Sequence, residues 1–153
     1  MSVQHSKISI LQHNTARNPN IMHSVLETAF KSLVDFVLIQ EPWIADDNTT
    51  TVSHSAYYCI LPNTQNIRPR VAIFARKQAS LTFCQRTDQI SDSDIIIIDV
   101  SSPQIETFQI INIYNEKSLD SESDNSYTVE RSLQHLSLIK ETIIAGDFNS
   151  HHS

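Results

Sequence analysis

A single glycine, Gly146, serves a chain of 153 residues. Turns that depend on glycine's left-handed backbone are therefore excluded almost everywhere. Chain reversal falls to Asn, Asp, Ser and Pro, which turn the backbone through side-chain hydrogen bonds or a fixed φ. Cysteine is nearly as scarce, and Cys59 and Cys84 have neither metal-ligand spacing nor a disulfide framework. Reduced, buried thiols in strand-like surroundings are expected of both. Basic residues number 11 against 17 acidic ones, a formal net charge of −6. No global basic field draws such a chain to nucleic acid or to an anionic membrane. A phosphate-bearing substrate would have to be held locally, by a metal or a few basic side chains. No apolar run approaches the roughly 20 residues of a membrane span, and the polar start is unlike a signal peptide. A soluble, intracellular chain with no membrane partner is expected.

What is present suits one domain with a core, since 40% of the residues are hydrophobic. Residues 7–13, 35–40, 56–61, 71–76, 95–100, 108–114 and 142–145 read as strands. They are rich in Ile, Val, Tyr and Phe and bounded by Asn, Asp, Pro and Ser. Two segments have a helical period instead. In 19–33, Ile21, Met22, Val25, Leu26, Ala29, Phe30 and Leu33 recur at three and four, behind Asn18 as cap and Pro19 at the first position. In 126–140, Val129, Leu133, Leu136 and Ile139 form a stripe, with Lys140 in the last turn. The acidic stretches 88–94 and 116–124 read as exposed loops. The order of elements predicts an α/β chain with a mixed sheet rather than strict βαβ alternation.

The polar residues that end the strands are the informative ones. Asn14 follows the first strand, Glu41 the second, Tyr114 and Asn115 close the strand over 108–114, and Asp147 and Asn149 follow the last. In open α/β sheets, sites are assembled at such ends. Taken singly, each has an ordinary reading: Asn14, Asp147 and Asn149 form turns, Glu41 is a loop carboxylate, and Tyr114 is a packed aromatic. Together they supply oxygen ligands and hydrogen-bond donors suited to metal and phosphate chemistry. Arg68, Arg70, Arg76 and Lys77 form the densest basic patch, either a solvated strand edge or a contact to a phosphate backbone.

The motifs LQHN (11–14), IQEPW (39–43), INIYN (111–115) and GDFN (146–149) resemble, in order and spacing, the endonuclease/exonuclease/phosphatase superfamily. The likeness is strongest to the apurinic-endonuclease-like domain of non-LTR retrotransposons, especially fungal ones. QEPW, the strand RVAIFARK (70–77), and His151-His152 after GDFN favour that branch. The resemblance implies the N-terminal part of a four-layer α/β/β/α sandwich, a mixed sheet with flanking helices, and a DNA-nicking, metal-dependent phosphodiesterase. It implies Glu41 and Asn14 at a Mg²⁺ or Mn²⁺ ion and Asp147 orienting the attacking water. Asn149 and Tyr114 would contact the scissile phosphate, with Arg70 a further substrate contact. Mg²⁺ prefers oxygen ligands, so His151 and His152 are assigned to packing or DNA-side positioning. Gly146 is expected to turn the chain sharply into the site.

Domains of this kind are longer than residues 1–153. Their second half supplies more strands, another Asp/Asn pair and a final Ser-Asp-His-type motif. The chain is thus expected to be a C-terminally truncated domain, with one face of its sheet uncovered and activity weak or lost. A reverse transcriptase region belongs to the full element and is absent from this sequence. Nuclear location would follow from action on genomic DNA. The alternatives are an inactive transposon-derived fragment, or another branch acting on RNA or small phosphoesters.

Overall fold

The computed structural model describes residues 7–64, 66–78, 80–86, 92–116, 128, 130 and 141–148. The elements run β1 (Ile10–Asn14), α1 (Pro19–Lys31), β2 (Phe36–Gln40), β3 (Tyr57–Ile60), β4 (Val71–Arg76), β5 (Thr82–Gln85), β6 (Ile95–Ser102), β7 (Ile105–Tyr114) and β8 (Thr142–Asp147). The helix expected over 126–140 lies almost wholly outside the described residues, as do Asn149, His151 and His152.

The strands divide into two four-stranded sheets, ordered β1-β2-β4-β3 and β5-β6-β7-β8. Each sheet contains one parallel pair, β1 with β2 and β7 with β8; the other pairings are antiparallel. The expectation that one face of the sheet would lack a partner is overturned, because the second sheet is already made by β5–β8. Phe36, Leu38, Val71 and Ile73 of one sheet meet Ile96, Ile98, Val100 and Ile110 of the other in a closed core. Period-two alternation explains the continuous apolar runs. Phe36 and Leu38 face the second sheet, whereas Val37 and Ile39 face Met22, Val25, Leu26 and Ala29 of α1. In β6, Ile95 and Ile97 form a separate buried cluster with Ile111 and Ile113 on the outer face.

Helix α1 starts as its sequence suggests. The Asn18 side chain accepts hydrogen bonds from the Asn20 and Ile21 amides, and Pro19 occupies the first turn. The helix stops earlier than its apolar period. Leu33 lies beyond it, 68% exposed and left-handed at φ 59°. The Leu33 amide donates to the Phe30 carbonyl and that of Val34 to Ala29, a Schellman closure with leucine where glycine is usual.

The scarcity of glycine leaves its mark elsewhere. Among the described residues, left-handed backbone falls on Ala16, Arg17, Leu33, Glu41, Asn48 and Asn66. Only the two asparagines suit that conformation well. Gly146 does not turn at all, contrary to expectation. It continues β8 opposite Ile113, where a Cβ would stand 2.0 Å from the Ile113 carbonyl oxygen. Its role is close backbone approach. The cysteines also depart from expectation: Cys59 and Cys84 lie on the short strands β3 and β5 and are exposed free thiols.

Candidate active site

The carboxyl ends of the two parallel pairs meet at one end of the sandwich. Register places Asn14 beside Gln40 in one sheet and Tyr114 beside Asp147 in the other. Each of these side chains follows the inward-facing positions of its strand, so the alternation that builds the core delivers polar groups where the core ends.

Two hydrogen bonds join the sheets there. Asn14 Nδ2 donates to Asp147 Oδ2 at 2.8 Å, and Tyr114 Oη donates to Glu41 Oε1 at 3.1 Å. Asn14 Oδ1 accepts from the Ala16 amide at 2.9 Å, which fixes the side-chain orientation. The structure thus gathers Asn14, Glu41, Tyr114 and Asp147 from four separate elements.

Glu41 is held by its main chain. Its amide donates to the Arg70 carbonyl (2.9 Å), and its carbonyl accepts from the Arg17 amide (2.7 Å) and Thr15 Oγ1 (2.9 Å). Its φ of 49° is uncommon for a residue with a Cβ, and the surrounding bonds enforce it. The Arg17 guanidinium stands 3.9 Å from Oε1 but is 57% exposed, so the attraction is well screened. Among the described residues no hydrogen bond reaches Glu41 Oε2.

Tyr114 is buried, and its phenol is pushed up to about 12. Burial is the main cause, and the neighbouring Glu41 and Glu116 carboxylates add to it. The hydroxyl therefore keeps its proton through neutral pH and remains a donor to Glu41.

Arg70 sits differently from a free substrate contact. It is 7% exposed, and its Nε and Nη2 each donate to an Asp94 carboxylate oxygen at 2.6 Å. The guanidinium lies 4.9 Å from the centre of the Tyr114 ring. Asp94, expected in an exposed loop, is fully buried at the start of β6 because Arg70 supplies the compensating charge. The other basic residues do not form one patch with it. Arg68 donates to the Ile44 carbonyl, Arg76 lies over Phe30, and Lys77 lies over Tyr58.

Behind the site runs an amide network, buried at Gln40 and Asn112, with no counterpart in the sequence reading. Gln12 Nε2 donates to Gln40 Oε1, and Gln40 Nε2 donates to Asn112 Oδ1 at 2.7 Å. Asn112 Nδ2 donates to the Ile39 and Ala72 carbonyls. A single amide within each of the apolar strands FVLIQ and IINIY was the available signal. Both are inward-facing, and pairing satisfies them at the sheet–sheet interface.

The architecture defines a fold class: a two-sheet α/β sandwich with four strands in each sheet. The chain is similar in structure to the endonuclease domain of TRAS1, a telomere-specific non-LTR retrotransposon, with a TM-score of 0.69 and 17% identity over 95% of this chain and 61% of that one. It is similar also to a D. rerio TDP2 humanized by 14 mutations, with a TM-score of 0.63 and 17% identity over 94% of this chain and 63% of the other. The chain thus spans less than two thirds of the length of either structure. No protein-family model and no curated protein matches the sequence. No helix among the described residues is long and apolar enough to cross a membrane.

Proposed function

We propose that this chain forms the N-terminal part of a metal-dependent phosphodiester hydrolase, a DNA-nicking endonuclease domain of the non-LTR retrotransposon kind. The observation that carries the reading is the joining of four strand ends from two sheets through the Asn14–Asp147 and Tyr114–Glu41 hydrogen bonds.

The donor set fits Mg²⁺ or Mn²⁺. Glu41 offers a carboxylate whose Oε2 has no hydrogen bond among the described residues, in an environment of oxygen and amide groups. A hard cation needs only one or two such carboxylates beside water and substrate phosphate. Glu41 would hold the ion with Asn14 nearby. Once bound, it would supply stabilisation of charge on the phosphoryl and leaving oxygens. Asp147, hydrogen-bonded to Asn14, would align the attacking water and accept its proton. Tyr114, a neutral hydroxyl that donates to Glu41 Oε1, and Asn149 are assigned as contacts to the scissile phosphate. Neither adds a positive charge that would retain the product.

DNA is the proposed substrate, engaged through its phosphate backbone. The structural likeness to a retrotransposon endonuclease domain supports that choice. Nuclear action follows if the target is genomic. Activity of residues 1–153 by themselves is expected to be weak, given the 61% span of that neighbour.

The test is nicking of supercoiled plasmid in Mg²⁺ by the purified chain beside Glu41→Ala and Asp147→Ala. Slow nicking that both substitutions remove supports the reading. Equal nicking by all three proteins overturns the site. Robust nicking by the unsubstituted chain alone overturns the expected impairment. Hydrolysis of bis(p-nitrophenyl) phosphate without nicking would move the chain to a small-phosphodiester branch.

A further inference from the structure

Arg70 and Asp94 join the two sheets beside Glu41 and Tyr114. Arg70 immediately precedes β4 and Asp94 immediately precedes β6. Their side chains form a two-pronged ion pair across the sheet interface, with both bonds at 2.6 Å. Ser93 Oγ also donates to Asp94 Oδ1 at 3.1 Å. The main chains repeat the connection. The Arg70 amide donates to the Ser93 carbonyl, the Arg70 carbonyl accepts from the Glu41 amide, and the Asp94 carbonyl accepts from the Tyr114 amide. The pair is therefore bonded to both partners of the Glu41–Tyr114 hydrogen bond.

The geometry of the guanidinium adds a directional constraint. A planar cation held on two atoms by Asp94 cannot swivel, and its plate sits 4.9 Å from the centroid of the Tyr114 ring. Arg70 Nη1 reaches Glu116 Oε2 at 3.5 Å on the far side, a contact to a half-exposed carboxylate that is weak beside the Asp94 pair. The ring is thus restrained by a rigid buried group.

We propose that Arg70 and Asp94 are positioning residues that act through Tyr114, holding its hydroxyl on Glu41 Oε1 so that Oε2 is turned toward the cation. This rests on the reading of Glu41 as the metal ligand. Lysine in place of Arg70 keeps the charge but loses both the two-pronged bond and the flat surface. It separates positioning from simple charge balance.

The experiment is Mn²⁺ binding, followed by calorimetry or by the electron paramagnetic resonance of the free ion. It uses the unsubstituted chain, Glu41→Gln, Arg70→Lys, Tyr114→Phe and the double variant, each checked by thermal melting. Saturable binding that Glu41→Gln removes is expected. Arg70→Lys should weaken it about 10–100-fold, the range for partners that orient metal ligands. In the Tyr114→Phe background the same change should weaken it by about twofold or less, because the route through the hydroxyl is already gone. If Arg70→Lys does not fold, Asp94→Asn enters the same cycle. An equal penalty in both backgrounds, or no penalty in either, overturns the positioning role while leaving Glu41 as ligand. No binding by the unsubstituted chain overturns both.

Discussion

Asn14 and Asp147 are separated by 133 positions and belong to different sheets, yet their side chains are joined by a 2.8 Å hydrogen bond. The amide fixes the carboxylate, and the Ala16 amide fixes Asn14. Asn14→Ala should leave the fold intact but remove the hydrogen bond that Asn14 gives the Asp147 carboxylate. Nicking is expected to fall about 10–100-fold, the usual cost of losing an orienting partner. A rate unchanged from that of the unsubstituted chain would mean that the bond plays no part in the chemistry.

Glu41 combines a left-handed φ of 49° with the carboxylate assigned to the cation. At an ordinary position alanine is more stable than glycine; here the order should invert. Glu41→Gly is expected to melt above Glu41→Ala, since relief of a left-handed Cβ is worth about 1–2 kcal/mol. Both variants should lose nicking. Chemical denaturation of the two measures the difference, and an Ala variant as stable as Gly would show that the backbone there is relaxed.

Gly146 tolerates no side chain. A Cβ at that position would meet the backbone oxygen of Ile113 at 2.0 Å, and a carbonyl in a parallel strand pair cannot move aside as a flexible side chain would. Gly146→Ala should destabilise the chain by about 1–3 kcal/mol or more through overpacking. It should also shift Asp147, the next residue. Wild-type stability in this variant would contradict the close approach.

Tyr114 links stability to alkaline pH. Its folded pKa is raised to about 12 from an ordinary value of 10.0, so folding favours the protonated phenol. The contribution is fully present below about pH 10 and is lost as the pH climbs toward 12, where the unfolded chain releases its proton first. Melting temperatures measured across that window should fall less steeply for Tyr114→Phe than for the unsubstituted chain. Equal slopes would indicate a phenol that titrates normally.

Much of this arrangement was legible in the sequence for a physical reason. Apolar runs such as FVLIQ and IIII signal buried strands, and polar residues just after them mark strand ends. Hence Asn14, Glu41, Tyr114 and Asp147 could be picked out. The residue pattern alone could not give the division into two sheets, which only the family resemblance implied, because alternation reports that a strand has two covered faces and not what covers them. The short strand TFCQ escaped for lack of an apolar run. The left-handed backbone at Ala16, Arg17, Leu33 and Glu41 carries no local signal, since those residue types disfavour it. Asp94 looked like one more loop acid. Its burial depends on Arg70, 24 positions away, and pairing at that distance is invisible to any local pattern.

The most direct measurement is Mn²⁺ binding to the purified chain and to Glu41→Gln. If the strand ends form a cation site, the unsubstituted chain binds saturably, Mg²⁺ competes with Mn²⁺ for the same site, and replacing one carboxylate oxygen of Glu41 by an amide nitrogen, with loss of its charge, abolishes binding. Binding of equal strength in Glu41→Gln, or none in either protein, would contradict a metal-dependent phosphodiesterase site at this end of the sandwich.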